Sequence, residues 1–123
     1  MDVEVETGQH SVPGPRAANE DFAALALPPA HEPGRGLVVA IADGVSSSGA
    51  GREAARVAVR GLVADFHAAA ETWDTSVVLD RLIGALNSWL FDHNRRREGT
   101  RAGAELPNLE EAEPYPLNTT CAV

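Results

Sequence analysis

The chain has 123 residues, a formal net charge of −8 at pH 7, 44% apolar residues and 23% charged ones. That length holds one domain or part of one, and the composition is that of a globular protein rather than a disordered or collagen-like one. The 18 acidic residues against 10 basic ones argue against a protein that neutralises a nucleic-acid backbone, so no nucleic-acid partner is expected.

All ten basic residues are arginine, beside 21 alanines, a compositional bias that leaves each Arg to be judged by its position. No apolar run approaches the roughly 18 residues of a membrane span, and the acidic start Asp2-Val3-Glu4 is unlike the basic start of a signal peptide. A cytoplasmic protein with no membrane partner is the expectation. The single Cys121 has no mate for an internal disulfide and reads as a small core residue rather than a nucleophile.

Residues 2–7 alternate charge with valine, the period-two pattern of a half-buried strand. Gly8 ends it. A loop with Pro13, Gly14 and Pro15 follows, and residues 22–27 read as a second strand stopped by Pro28 and Pro29. Residues 37–42 are apolar without alternation, which predicts a strand covered on both faces and delivering Asp43 and Gly44 at its C-terminal end. Ser46, Ser47 and Ser48 offer N-caps for a helix starting at Ala50 or Gly51. In that helix Ala55, Ala58, Val59, Leu62, Val63, Phe66 and Ala69 form the apolar face, with Arg52, Glu53, Arg56 and Arg60 on the other side.

A second helix opens around Asp74 and runs to about Asn94, with Leu79, Leu82, Ile83, Leu86 and Leu90 as its stripe and Trp89 beside them. Arg95, Arg96 and Arg97 then sit where a helix C-terminus favours cations. Residues 98–116, rich in Gly, Pro and Glu, read as an exposed loop. Residues 117–123 begin a β-prone run inside which the chain stops, so a fragment of a larger domain is the expectation. His67 and His93 have no metal-ligand partner at i+4 and read as surface residues.

Asp43 leaves the end of a buried strand, where open sheets gather their ligands; an Asp that merely caps a turn before glycine is the competing reading. The cluster Arg16-Ala17-Ala18-Asn19-Glu20-Asp21, ahead of another strand, favours the functional reading. Hard cations such as Mg²⁺ and Mn²⁺ take oxygen ligands from carboxylates and carbonyls. Gly44 lets the main chain turn closely enough for its carbonyl to join them. The guanidinium of Arg16 matches a phosphate in a bidentate fork that lysine does not reproduce.

These residues carry a family resemblance. Gly14-Pro15-Arg16-Ala17-Ala18-Asn19-Glu20-Asp21-Phe22, Ala42-Asp43-Gly44-Val45, Gly51-Arg52-Glu53-Ala54-Ala55 and Asn118-Thr119-Thr120-Cys121-Ala122-Val123, in that order, resemble the N-terminal half of the metal-dependent protein Ser/Thr phosphatases of the PP2C type. The resemblance implies an α+β fold, part of a layered β-sandwich flanked by antiparallel helix pairs, here truncated. It also implies a hydrolase in which a water activated by two Mn²⁺ or Mg²⁺ ions attacks the phosphorus of phosphoserine or phosphothreonine in a protein substrate.

Carried over residue by residue, Arg16 would hold the substrate phosphate, Asp43 would bridge the metals and the Gly44 carbonyl would bind one of them. Glu20 and Asp21 would hold metal-bound waters. Similar bacterial signalling proteins sometimes carry a Ser/Thr kinase domain in the same parent chain. The sequence departs from the pattern in four respects. Ser46-Ser47 follow Val45 where many members have Gly-Gly, no His stands at Val45, Asn118 replaces a usual Gly, and the downstream Gly-Asp-Ser motif and later Asp ligands are absent from these 123 residues. The chain alone is therefore expected to be inactive.

The sequence also admits two rival readings. Gly49-Ala50-Gly51-Arg52-Glu53-Ala54 fits the G-x-G-x-x-A pattern of a nucleotide-binding turn, although loop residues intervene after Asp43 and a second helix follows instead of a strand. The other rival is a non-catalytic regulatory or interaction fragment.

Overall fold

The computed structural model describes residues 4–28, 34–45, 49–103 and 117–123. They form strands β1 (Asp21–Ala26) and β2 (Val38–Gly44), helices α1 (Gly51–Ala68) and α2 (Thr75–Gly103), and strand β3 (Thr119–Ala122). The strands make one antiparallel sheet in the order β1-β2-β3, so the fold is α+β with β2 at the centre. None of the described helices is long and apolar enough to cross a membrane.

β2 alternates strictly: Val38, Ala40, Ala42 and Gly44 are buried, while Val39, Ile41 and Asp43 are exposed. Helix α1 lies on the buried face. Ala40 and Ala42 meet Ala55 and Val59 there, small side chains on both elements that let helix and sheet approach closely. At the other end Val38, Phe66 and Val78 join β2, α1 and α2 in a second cluster, and Ala50, Ala54 and Leu117 tie the start of α1 to the segment before β3. The apolar character of β2 calls for cover on both faces, and the described residues supply it on one: Val39 is 50% and Ile41 53% exposed. Both helices sit on one side, and an apolar run without alternation does not reveal how many layers surround it.

The apolar face read for α1 is the one buried, extended by Gly51 and Ala54 at its start. Its N-cap is Ala50, with no side-chain cap bond; the serines expected to cap it lie outside the described residues. α2 runs nine residues past Asn94, to Gly103. Arg95, Arg96 and Arg97 are thus inside the helix rather than at its end. The reason is local: the stretch holds good helix formers and no proline, and Gly99 costs only about 1 kcal/mol.

Residues 98–103, expected to open a loop, continue this helix, and residues 104–116 lie outside the described ones. Along α2, Val78 is buried, Leu79, Leu82, Leu86 and Leu90 are half-buried, but Ile83 and Trp89 are exposed.

Residues 4–7 are exposed and have no regular structure, against the strand expected at 2–7, whose first two residues lie outside the described ones. Alternation makes a strand only where a neighbour pairs with it. Cys121 is exposed on β3 instead of in the core, and the partial burial of its thiol raises the pKa, so it is a poor nucleophile. His67 and His93 are half-buried rather than surface residues. The Nε2 of His67 lies 3.3 Å from the Ala26 carbonyl oxygen, with the ring edge-on to Phe66, and His93 stacks on Trp89 at 4.9 Å.

Candidate functional site

The register of the sheet assembles the candidate residues at one end. Asp21 on β1 is the direct partner of Asp43 on β2, and Thr120 on β3 is the partner of Asp43 on the other side. Directly opposed residues share a face, so both aspartates stand on the open face with Val39 and Ile41. The Gly44 N–H donates to the Glu20 carbonyl at 3.0 Å, which makes that position hydrogen-bonded and the Asp21–Asp43 position, one step along, non-hydrogen-bonded. In such pairs the side chains approach most closely, with Cβ atoms about 4.5–5.5 Å apart.

Two like charges so placed repel each other, and a cation between them removes the repulsion. The donor set of two carboxylates beside a glycine carbonyl is that of a hard dication. Among the described residues no group of three or more His, Cys, Asp or Glu side chains could hold a metal.

Glu20 is not drawn into this pair. It is opposite Gly44, a residue of the buried face, and the alternation of the pleat assigns it to the face opposite Asp21. Arg16 lies in an exposed turn whose N–H donates to the Pro13 carbonyl at 3.2 Å. Gly14, the first central residue of that turn, has φ +61°, a conformation that favours glycine. The turn therefore fixes where the segment holding Arg16 reverses direction before β1.

Two further residues anchor the pair. The Asn19 Oδ1 accepts the Asp21 N–H at 3.0 Å, an Asx turn detectable as Asn two residues before Asp. The Thr119 hydroxyl donates to the Asp43 carbonyl at 2.8 Å, a contact across the sheet with no local signal.

Gly44 and Gly51 bring the end of β2 against the start of α1. A Cβ on Gly44 would stand 2.6 Å from the Gly51 Cα, and one on Gly51 would stand 2.8 Å from the Gly44 carbonyl carbon. Gly49 has φ +73°. Close packing and backbone conformation thus account for both glycines in the G-x-G-x-x-A stretch, and the sheet beside it is antiparallel, unlike the parallel unit of a dinucleotide-binding turn.

No protein-family model matches the chain, and neither the curated proteins nor the solved structures contain a match.

Proposed function

We propose that the chain is the N-terminal part of a metal-dependent phosphoserine/phosphothreonine protein phosphatase of the PP2C type, with a cytoplasmic location and a phosphorylated protein as substrate. The observation that carries the reading is the cross-strand Asp21–Asp43 pair beside Gly44 on the open face of the sheet. Asp43 and Asp21 would hold Mn²⁺ or Mg²⁺ together with the Gly44 carbonyl, and the ions supply Lewis-acid chemistry that activates water and offsets phosphoryl charge. Arg16 binds the phosphate through its guanidinium fork. Glu20, on the other face, supports the site through its carbonyl bond to Gly44 rather than through its carboxylate.

The open face of β2, with Val39 and Ile41 exposed, suits a second sheet packed on it as in a β-sandwich. Two carboxylates and one carbonyl fall short of the ligand number a hard cation needs, so the 123 residues alone should bind metal weakly and turn over no substrate. A phosphothreonine peptide offered to the protein carrying this chain in its natural reading frame tests the proposal. Mn²⁺-dependent phosphate release abolished by EDTA supports it; metal-independent turnover, or none with Mn²⁺ present, overturns it.

A further inference from the structure

We infer that Thr119 and Asn19 are positioning residues that hold the Asp43 and Asp21 backbones in the geometry the carboxylate pair requires, an inference that rests on the metal reading above. The peptide unit between Asp43 and Gly44 is pinned at both ends. On the β1 side the Gly44 N–H donates to the Glu20 carbonyl at 3.0 Å. On the β3 side the Thr119 hydroxyl donates to the Asp43 carbonyl at 2.8 Å, in preference to the Thr120 carbonyl at 3.1 Å, since one hydroxyl carries one hydrogen.

The Val45 N–H to Asn118 carbonyl bond, 2.9 Å, sets the β2–β3 ladder so that Asp43 and Thr120 form a hydrogen-bonded pair. The Asp43 carbonyl then accepts the ladder N–H as well as the Thr119 hydroxyl, while the Thr120 hydroxyl, at 3.4 Å, is the longer and weaker donor to the same oxygen.

Asp21 is held from the opposite edge. In a non-hydrogen-bonded pair its N–H points away from β2, to the side where the described sheet has no further strand. The Asn19 Oδ1 replaces the missing ladder acceptor at 3.0 Å, and its Nδ2 donates to the Ser11 hydroxyl at 2.7 Å, which fixes the amide's orientation. Valine serves a strand position as well as threonine does, so Thr119→Val removes the hydroxyl without disfavouring the strand.

The test is Mn²⁺ affinity of the full chain by calorimetry, for wild type, Thr119→Val, Thr119→Ser and Asn19→Ala, well below each protein's melting temperature. Thr119→Val and Asn19→Ala are expected to bind about three- to tenfold more weakly, the worth of one hydrogen bond. Thr119→Ser, which keeps the hydroxyl, should bind as wild type does. A role in stability alone would shift the melting temperature and leave the affinity unchanged, which overturns the inference while the metal reading stands. Asn19→Ala alters no sheet position and serves where Thr119→Val folds poorly. A wild-type chain that takes up no Mn²⁺ overturns the metal reading and the positioning role with it.

Discussion

Gly44 and Gly51 pack backbone against backbone, so the strand end that carries Asp43 and the first turn of α1 are a fixed distance apart. A side chain on either would push into the main chain of the other, the nearest atoms being the Gly44 carbonyl carbon at 2.8 Å and the Val45 nitrogen at 3.0 Å for Gly51. Gly51→Ala is expected to destabilise the fold by about 1–3 kcal/mol, and Gly44→Ala by at least as much, because rigid backbone rather than a yielding side chain must move. Gly61→Ala on the same helix has open space around it and should instead gain up to about 1 kcal/mol. Urea denaturation of the three variants checks both signs.

Asp43→Asn should make the metal-free protein more stable. The Asp21 and Asp43 carboxylates oppose each other across a non-hydrogen-bonded pair, and relieving a like-charge pair is worth roughly 0.2–1 kcal/mol. The gain should shrink in high salt, which screens exposed charges. Thermal melts at low and high ionic strength decide it: a variant less stable than wild type in both would mean that Asp43 holds the fold rather than a ligand.

Phe66 is the core residue on which the second cluster turns, 4% exposed and in contact with Val38 and Val78, with the Arg35 guanidinium 5.9 Å from its ring centre. Phe66→Ala should cost about 3–5 kcal/mol, a large share of a small domain's stability. Circular dichroism should show the cooperative transition lost or strongly shifted downward, and Phe66→Leu should recover most of it.

The contrast between elements explains what could be read from the chain. The buried face of α1 was legible because residues such as Ala55, Val59, Leu62 and Phe66 recur at helical spacing and nothing else produces that period. Asp43 near a strand end was legible from the short apolar run that leads into it. What needed the structure was pairing. Glu20 and Asp21 look equivalent in sequence, but the register sets Asp21 against Asp43 and leaves Glu20 opposite Gly44. The length of α2 was missed because neither Asn94 nor the arginines after it break a helix. Residues 4–7 alternate well but pair with no strand among the described residues, and pairing, not pattern, makes a strand.

His93 gives stability a pH dependence. Burial first, then the charges of Arg97 and Arg96, hold its pKa below the ordinary value of 6.5. The unfolded chain therefore binds the proton more readily, and stability contributed by the neutral ring falls as the pH drops below 6.5 toward the folded-state pKa. Between roughly pH 7.5 and 5.5 the wild-type urea midpoint should drop more than that of His93→Gln. Equal drops in the two proteins would place the titrating group elsewhere.

The central claim, that the Asp21–Asp43 end of the sheet receives a hard dication, is tested most directly by adding substoichiometric Mn²⁺ to the ¹⁵N-labelled chain and recording which amide signals its unpaired electrons broaden. The account expects the signals of Asp21, Asp43, Gly44 and Thr120 to vanish first and to survive in Asp43→Asn. Broadening spread evenly over the acidic surface, or the same pattern in Asp43→Asn, would contradict it.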